Sequence, residues 1–472
     1  MSDNPKNKIV LVRPPYSMVY SEVYKEIPKN REVRPPLGLL SLAGALEKTG
    51  YNVAIIDGEP QLLSVEKIVE QIRSHNPSFL GVTSTTPEYH IALEIAELAK
   101  KKIPFITTIF GGAHVSALPE KSLSESLCII DYIVVGEGER SIVDIVKNKP
   151  KDRIIRFPLI EDINLLPSLS KHLLDYSNYR YADPEKGLVR VDAIETSRGC
   201  PFECAFCFHF HGNKIRFKDP VRVVSEIEES YLKLGTQMFI FFDDTFTLKR
   251  DRAITICNEI IKRKLKLSFF CFTRADTLDR ELLVLMKRAG FDKITLGVES
   301  GNQSVLNRIR KGLTLKQNEL AYKMINGLGI ETRGSFILGN PGETHQTIQD
   351  TINFAKKLPL VRIGVNILTP YPGTELYKDA LEGKNGIKLT CSDWKQFKRW
   401  GRSVVRTLEL SEKDLEDYQK KFLMVFYSSR KVIFYHLKKF LFSSNHSFYY
   451  YRPVLTAIKE RTKYFILRFI GR

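Results

Sequence analysis

Three cysteines, Cys200, Cys204 and Cys207, fall within eight residues of "TSRGCPFECAFCFH", the stretch from Thr196 to His209. Thiols packed this closely serve either a metal centre or a disulfide. The other four cysteines, Cys128, Cys257, Cys271 and Cys391, are scattered, and an odd total of seven does not suit a secreted disulfide framework. A metal centre in a reducing cytoplasm is the expectation. The spacing C-x3-C-x2-C, with aromatic Phe206 just before the last thiol, satisfies three irons of a 4Fe-4S cluster and leaves the fourth open for a substrate or cofactor. A structural zinc site wants four closed ligands, and His209 or His211 could complete a Cys3His set.

Other chemistry-bearing residues stand at the ends of apolar runs. Asp243 and Asp244 close "MFIFFDD", where a carboxylate can pair with an ammonium group or cap a helix. Glu299 follows "ITLGV" and could accept hydrogen bonds from ribose hydroxyls, or again cap a helix. Arg274 could hold a carboxylate through its fork or form a salt bridge within the barrel. Gly339, Pro341 and Gly342 shape a turn.

The elements needed to position these residues are legible. From residue 191 to about 390, "DAIETS", "MFIFFDD", "LSFFCFT", "KITLGVES", "TRGSFILG" and "RIGVNILTP" read as strands separated by helices. Six β/α units predict a parallel barrel, complete or partial, with its active site at the carboxyl ends of the strands, where the cysteine loop also falls. Residues 1–147 alternate in the same way: "KIVLVRPP", "NVAIIDG", "FLGVTST", "FITTIFGG" and "YIVVGEGE" predict a doubly wound, flavodoxin-like parallel sheet. Ligands of such sheets sit beyond the strand ends, here at Gly58, Ser84, Gly111, Gly112, His114 and Gly136. Residues 148–190, rich in Pro, Asp and Tyr, read as a linker, and 391–472 as a basic helical region covering the cavity.

The formal charge of +18 implies an anionic partner. Its distribution argues against a nucleic-acid enzyme: from Tyr418 to Arg472 twelve Lys or Arg face one acid, Glu460, which places the excess in the tail. There, rows such as Ile433, Leu437 and Leu441, or Val454, Ile458, Phe465 and Phe469, lie opposite Lys and Arg. Such helices pack on a barrel or lie in an anionic membrane surface, which would suit a lipid-type substrate. "MSDNPKNK" has no apolar run behind it, and no long uncharged apolar stretch follows.

"CPFECAFC" resembles the cluster loop of the radical S-adenosylmethionine superfamily. "FIFFDDTF", "TRAD", "LGVESG", "FILGNPGET" and "LTPYPGTELY" resemble its later strand-end motifs, so that the likeness spans residues 191 to about 378. The resemblance implies a partial (β/α)6 radical SAM barrel in which Cys200, Cys204 and Cys207 hold a 4Fe-4S cluster. Phe206, Asp243 or Asp244, Arg274, Glu299 and Gly339 would surround S-adenosylmethionine. "IFGGAHVSALPE" with "DYIVVGEGE" resembles the cobalamin-binding Rossmann domain that precedes the barrel in one branch of this superfamily, with Ser84, Gly111, Gly112 and His114 as cofactor contacts. The cobalamin motif D-x-H-x-x-G is absent and no histidine precedes His75, so the cobalt's lower face would be open, or touched by Tyr16 or water.

For such a chain the resemblance implies reduction of S-adenosylmethionine to a 5'-deoxyadenosyl radical and methylation of an unactivated carbon. A second adenosylmethionine would remethylate the cobalamin, and electrons would come from a donor such as flavodoxin or ferredoxin. Ring closure or carbon-carbon coupling without net methyl transfer is the alternative within the enzyme class. A non-catalytic zinc-bound, nucleic-acid-binding protein is the alternative outside it.

Overall fold

The computed structural model describes residues 8–20, 32–183, 186–442 and 448–469, the side chains of 448–450 and 463–469 apart. The first sheet is wholly parallel. Its strands β1 (Lys8–Arg13), β2 (Asn52–Asp57), β3 (Phe79–Thr83), β4 (Thr107–Gly111), β5 (Tyr132–Val135) and β6 (Ile154–Arg156) lie in the order 2-1-3-4-5-6. Helices α1 (Leu37–Glu47) and α6 (Gly138–Asn148) cover one face; α2 (Val65–His75) and α3 (Tyr89–Lys102) cover the other, joined by the short α4 (Ala113–Ala117) and α5 (Pro119–Glu125). Cover on both faces is why β1 reads as an unbroken apolar run, buried from Ile9 to Val12. The order reverses at β1, and the carboxyl ends of β1 and β3 therefore flank a crevice.

The second sheet runs β15-β14-β13-β12-β11-β8-β7. β7 (Arg180–Asp183) is antiparallel to β8 (Gly187–Ile194), whose end leads into a small ladder of β9 (Ser197–Arg198) and β10 (Arg216–Phe217). Five further parallel strands follow, β11 (Met238–Phe241), β12 (Ser268–Thr273), β13 (Phe291–Glu299), β14 (Glu331–Leu338) and β15 (Arg362–Ile367). Between them run α7 (Pro220–Leu234), α8 (Arg250–Lys262), α9 (Arg280–Ala289), α10 (Gln303–Arg308), α11 (Leu315–Gly327) and α12 (His345–Lys357). Their boundaries follow local chemistry. Asp219 accepts from the amides of Val221 and Arg222 ahead of Pro220, and Gly235 ends α7 in the left-handed region. In β14 and β15 alternate residues are buried under helices while Ser335, Ile337, Gly364 and Asn366 face a half-open lumen.

The six parallel strands form the partial barrel expected, and its open edge is protected. The Tyr427 hydroxyl pairs with both the amide and carbonyl of Ile363 (3.1 and 3.0 Å), Gln419 Nε2 donates to the Val365 carbonyl (2.8 Å), and the Ile367 amide donates to the Arg399 carbonyl (2.9 Å). Side chains thus satisfy an edge that would otherwise template pairing with another chain. Both side chains belong to α14 (Glu412–Tyr427), which follows α13 (Glu375–Glu382) and the hairpin of β16 (Ile387–Leu389) and β17 (Val405–Thr407). α15 (Arg430–Leu441) and α16 (Phe448–Phe469) complete the chain.

Two segments differ from the sequence reading. The stretch 148–190 is more than a linker: it gives β6 to the first sheet and β7 to the second, strands of three and four residues too short for a periodic signal. The region after 391 becomes α-helical only at Glu412; before it, past a short 3-10 turn at Trp394–Gln396, residues 397–401 are laced to β15 as part of the lumen's rim. In α15 the inward residues are Val432 and His436, whereas Leu437 and Leu441 are exposed; in α16 they are Tyr451, Val454 and Ala457. Phe465 and Phe469 lie outside the described side chains. No described helix is long and apolar enough to cross a membrane.

Candidate functional site

The cysteine loop hangs from the β9–β10 ladder. Gly199 sits at φ +93°, and a Cβ there would lie 2.4 Å from the Lys214 carbonyl, so only glycine admits the turn that starts the loop. Cys200 is anchored through its amide to the Gly212 carbonyl (3.2 Å), and Ala205 bonds Ile309 and Leu376 through its backbone. All seven described cysteines are free thiols. The hydrogen bond with Cys207 draws Cys204 down to about 6, helped by Lys311 and Arg274, and burial pushes Cys200 up. His209 Nε2 is instead bonded to the Phe202 carbonyl (2.7 Å) and His211 is bound to Glu137 and Glu195, so neither completes a Cys3His set here. Among the described residues no three His, Cys, Asp or Glu close around a single metal ion. A cubane spreads its thiolates over three irons and does not require that closure.

The paired aspartates, alike in sequence, separate in space. Asp243 is buried and accepts from Thr196 Oγ1 (2.7 Å) and Ser197 Oγ, beside Arg252; it is framework for the cysteine loop. Asp244 is exposed on the opposite side of the chain, close enough to Cys200 to interact electrostatically; burial in the surrounding cleft raises its carboxyl against the pull of His211 and His209. Arg274 lies 3.5 Å over the Phe202 ring of the loop and forms a fork with Asp276 (3.1 Å on both nitrogens). Glu299 takes a left-handed φ of +63° at an irregularity in the β13–β14 ladder, which aims its carboxylate into a buried pair with Lys311 Nζ (2.7 Å). Lys311 also faces the Phe206 ring, 5.7 Å from its centroid. Lys311 escaped the sequence reading because it lies in a loop twelve residues beyond its partner. Gly339, at φ +90°, forms the turn after β14, its amide bound by Glu343.

In the first domain an apolar cavity of about 350 Å³ opens between α1 and α6 at the β1/β3 crevice. Leu11, Leu39, Ile109, Val134 and Ile142 form its walls, and Gly81, Gly111 and Gly112 keep one side clear. Gly112 (φ +100°) is held tight: a Cβ would meet the Ser84 carbonyl at 2.6 Å, whereas one on Gly111 would meet nothing within 4 Å. Ser84 lies beneath Gly112 and does not line the cavity; its hydroxyl is buried and has no partner among the described residues. Two hydroxyls stand on the cavity wall: Ser41 of α1, which donates to Glu139, and Thr83, two residues after Gly81 on the same strand face. His114 does not line it either: it packs 4.1 Å from the Tyr89 ring, within 5.2 Å of Trp394, and bonds Thr86. An apolar slot with a glycine side and the Thr83 hydroxyl on its wall fits a flat heteroaromatic group such as the dimethylbenzimidazole tail of cobalamin. The cavity extends to Glu195, Arg198, Phe210 and His211 of the barrel, so it opens towards the cysteine loop.

A thiol-bearing loop at the mouth of a partial barrel, facing the nucleotide slot of a Rossmann domain, defines a radical S-adenosylmethionine enzyme of the cobalamin-binding type. The radical SAM superfamily model matches residues 194–355 and the B12 binding domain model residues 31–146. An uncharacterized methyltransferase of Pyrococcus horikoshii is 32% identical over 446 residues, 90% of this chain and 94% of the relative. The anaerobic magnesium-protoporphyrin IX monomethyl ester cyclase of Rubrivivax gelatinosus is 30% identical over 77% of this chain and 68% of the relative. In fold, the chain is similar to the radical S-adenosylmethionine methyltransferase TsrM from Kitasatospora setae (TM-score 0.66, 17% identity, 89% and 88% of the two chains). The chain belongs to the radical SAM superfamily and is an enzyme whose cofactors are a 4Fe-4S cluster, S-adenosylmethionine and cobalamin.

Proposed function

We propose that this enzyme is a cobalamin-dependent C-methyltransferase that acts on an unactivated carbon of a natural-product or lipid-type small molecule. The observation that carries this reading is adjacency: the slot between α1 and α6 extends to Arg198, Phe210 and His211, which flank the loop of Cys200, Cys204 and Cys207, so the two cofactor sites adjoin. When bound, the cluster and adenosylmethionine supply a 5'-deoxyadenosyl radical, and cobalamin supplies a transferable methyl group. Cys200, Cys204 and Cys207 ligate the iron. Asp244, exposed beside Cys200, accepts the ammonium of adenosylmethionine, and Asp243 holds the loop from behind. Arg274 takes the carboxylate, the Glu299–Lys311 pair the ribose, and Phe206 with the Gly339 turn flanks the adenine. Gly111, Gly112 and Thr83 admit the cobalamin tail. The half-buried lumen residues Phe272 and Ile337 and the exposed Phe242 and Trp400 suit an apolar substrate body. A flavodoxin or ferredoxin, typically acidic, matches the net positive charge.

The experiment is anaerobic turnover with S-adenosylmethionine carrying a deuterated methyl group in an extract of the source cells. Deuterated methyl in a carbon-bound product, with one 5'-deoxyadenosine released per methyl, supports the reading. Likeness to the cyclase favours a second one, ring closure; deoxyadenosine released into an unlabelled, cyclised product would establish it in place of methylation.

The tail extends the lipid reading. Phe434, Leu437, Phe440 and Leu441, on a helix that also carries Lys438 and Lys439, and Phe442 just beyond its end are all at least 42% exposed. Charge and apolar exposure together suit peripheral contact with an anionic bilayer. Cosedimentation with phosphatidylglycerol vesicles that weakens with salt, and is lost in a Phe434→Ser, Leu441→Ser variant, is the expected result; indifference to such vesicles at low salt would overturn it.

A further inference from the structure

The cobalamin slot is not completed by the first domain. Its outer wall comes from Ile163, Leu166 and Pro167 of the connector and from Arg198 and His211 of the barrel. The segment Gly136–Glu139, the turn into α6, stands between the two sites. On one side all four residues border the slot, and Gly138 is so close to α1 that a Cβ would sit 2.8 Å from Leu42. On the other side Glu137 is clasped by the cysteine-bearing segment: Arg216 Nη1 at 2.8 Å, Arg198 Nη1 at 3.3 Å and His211 Nδ1 at 3.2 Å. Glu139 takes Arg198 Nη2 (2.7 Å) and Ser41 Oγ of α1 (2.7 Å), and Glu195 completes the network through Arg198 Nε (2.7 Å). The Glu137 and Arg216 side chains are each only 3% exposed. Arg198 lies two residues before Cys200, and His211 four after Cys207.

Burial would raise Glu137, but the hydrogen bonds from His211, Arg216 and the Ile160 amide, with the charge of Arg198, hold it ionised well below the usual carboxylate range. A buried carboxylate so surrounded keeps its orientation only while its partners keep theirs. The backbone that receives the nucleotide tail is therefore the backbone that fixes both ends of the iron-binding loop.

We propose that Glu137 is a positioning residue that couples the two sites: seating of cobalamin in the slot immobilises Gly136–Glu139 and, through Glu137, orders the loop of Cys200, Cys204 and Cys207. Coupling of binding free energies is reciprocal, so a formed cluster must tighten cobalamin by the same factor. The proposal rests on the slot being the cobalamin site. Hydroxocobalamin is titrated into the full chain with and without a reconstituted cluster, and the ratio of the two dissociation constants is measured for the native protein, Glu137→Gln and, as the milder change, His211→Gln. The expected ratio is about fivefold or more in the native protein, near one in Glu137→Gln and intermediate in His211→Gln. Release of iron to a chelator should slow when cobalamin is bound, and only where the ratio exceeds one. Damage that is merely structural would weaken both titrations alike and leave the ratio unchanged. A native ratio of one, or an undiminished ratio in a folded Glu137→Gln protein, overturns the coupling; failure of hydroxocobalamin to bind in either state overturns the functional reading instead.

Discussion

Gly111 and Gly112 are adjacent in sequence and both line the slot, yet they should fail in different ways. At Gly112 a methyl group meets backbone, 2.6 Å from the Ser84 carbonyl and 3.0 Å from its amide, at a φ of +100° that L-residues rarely adopt. Left-handed strain costs about 1–3 kcal/mol, and overpacking against backbone about as much again. Gly112→Ala should therefore lose about 2–6 kcal/mol, which at roughly 2–4 °C per kcal/mol lowers the melting temperature by about 4–24 °C. At Gly111 a Cβ meets nothing within 4 Å. Gly111→Leu should melt close to the native protein but fill part of a cavity of about 350 Å³. Rejection of the tail by about 2 kcal/mol or more would weaken cobalamin at least thirtyfold. Differential scanning fluorimetry and hydroxocobalamin titration of the two variants decide the matter. Equal melting losses in both, or unaltered cobalamin affinity in Gly111→Leu, would refute the assignment of these glycines.

The aspartates should separate likewise. Asp244→Asn weakens adenosylmethionine binding in equilibrium dialysis with little change in melting, whereas Asp243→Ala loses charge-assisted bonds from Thr196 and Ser197, about 1.5–3 kcal/mol each, and destabilises the fold. Lys311→Met leaves Glu299 without its partner in a pair only 7% exposed on either side, a loss of about 3–5 kcal/mol that the added Glu299→Gln should largely restore in a double-mutant cycle. Because the folded value of Glu137 is depressed, its contribution is complete above the unfolded carboxylate value of about 4.3 and is lost as pH falls below it. The native protein should lose more melting temperature than Glu137→Gln between about pH 7 and pH 3.5.

Much of this architecture was legible because parallel strands covered on both faces write themselves as apolar runs and strands of the half-open barrel as apolar alternation; all eleven strands read from those patterns are present. β6 and β7 were not legible, since three or four residues carry no period. At the site, the chemistry of the cysteines could be read from their spacing, but orientation could not. Asp243 and Asp244 differ only in which side of one chain they leave. His114 follows the Gly-Gly pair closely yet turns into the Tyr89–Trp394 aromatic cluster, and its neighbour Trp394 comes from the far end of the sequence. Thr83 was within reach of a period-two argument from Gly81. Glu137 and His211 were not, because a contact between residues 74 apart leaves no local pattern.

The central claim is that one chain brings adenosylmethionine, a three-cysteine cluster and cobalamin to a single methyl-transferring site. Its most direct measurement follows label from methyl-tritiated S-adenosylmethionine in anaerobically reconstituted, reduced protein loaded with cobalamin, with iron and 5'-deoxyadenosine assayed alongside. The native protein is predicted to hold about four irons, to pass tritium to its cobalamin and to release 5'-deoxyadenosine; alanine at Cys200, Cys204 or Cys207 should abolish the deoxyadenosine. Deoxyadenosine formed without any tritium reaching cobalamin, or undiminished in the Cys204→Ala protein, would contradict the account.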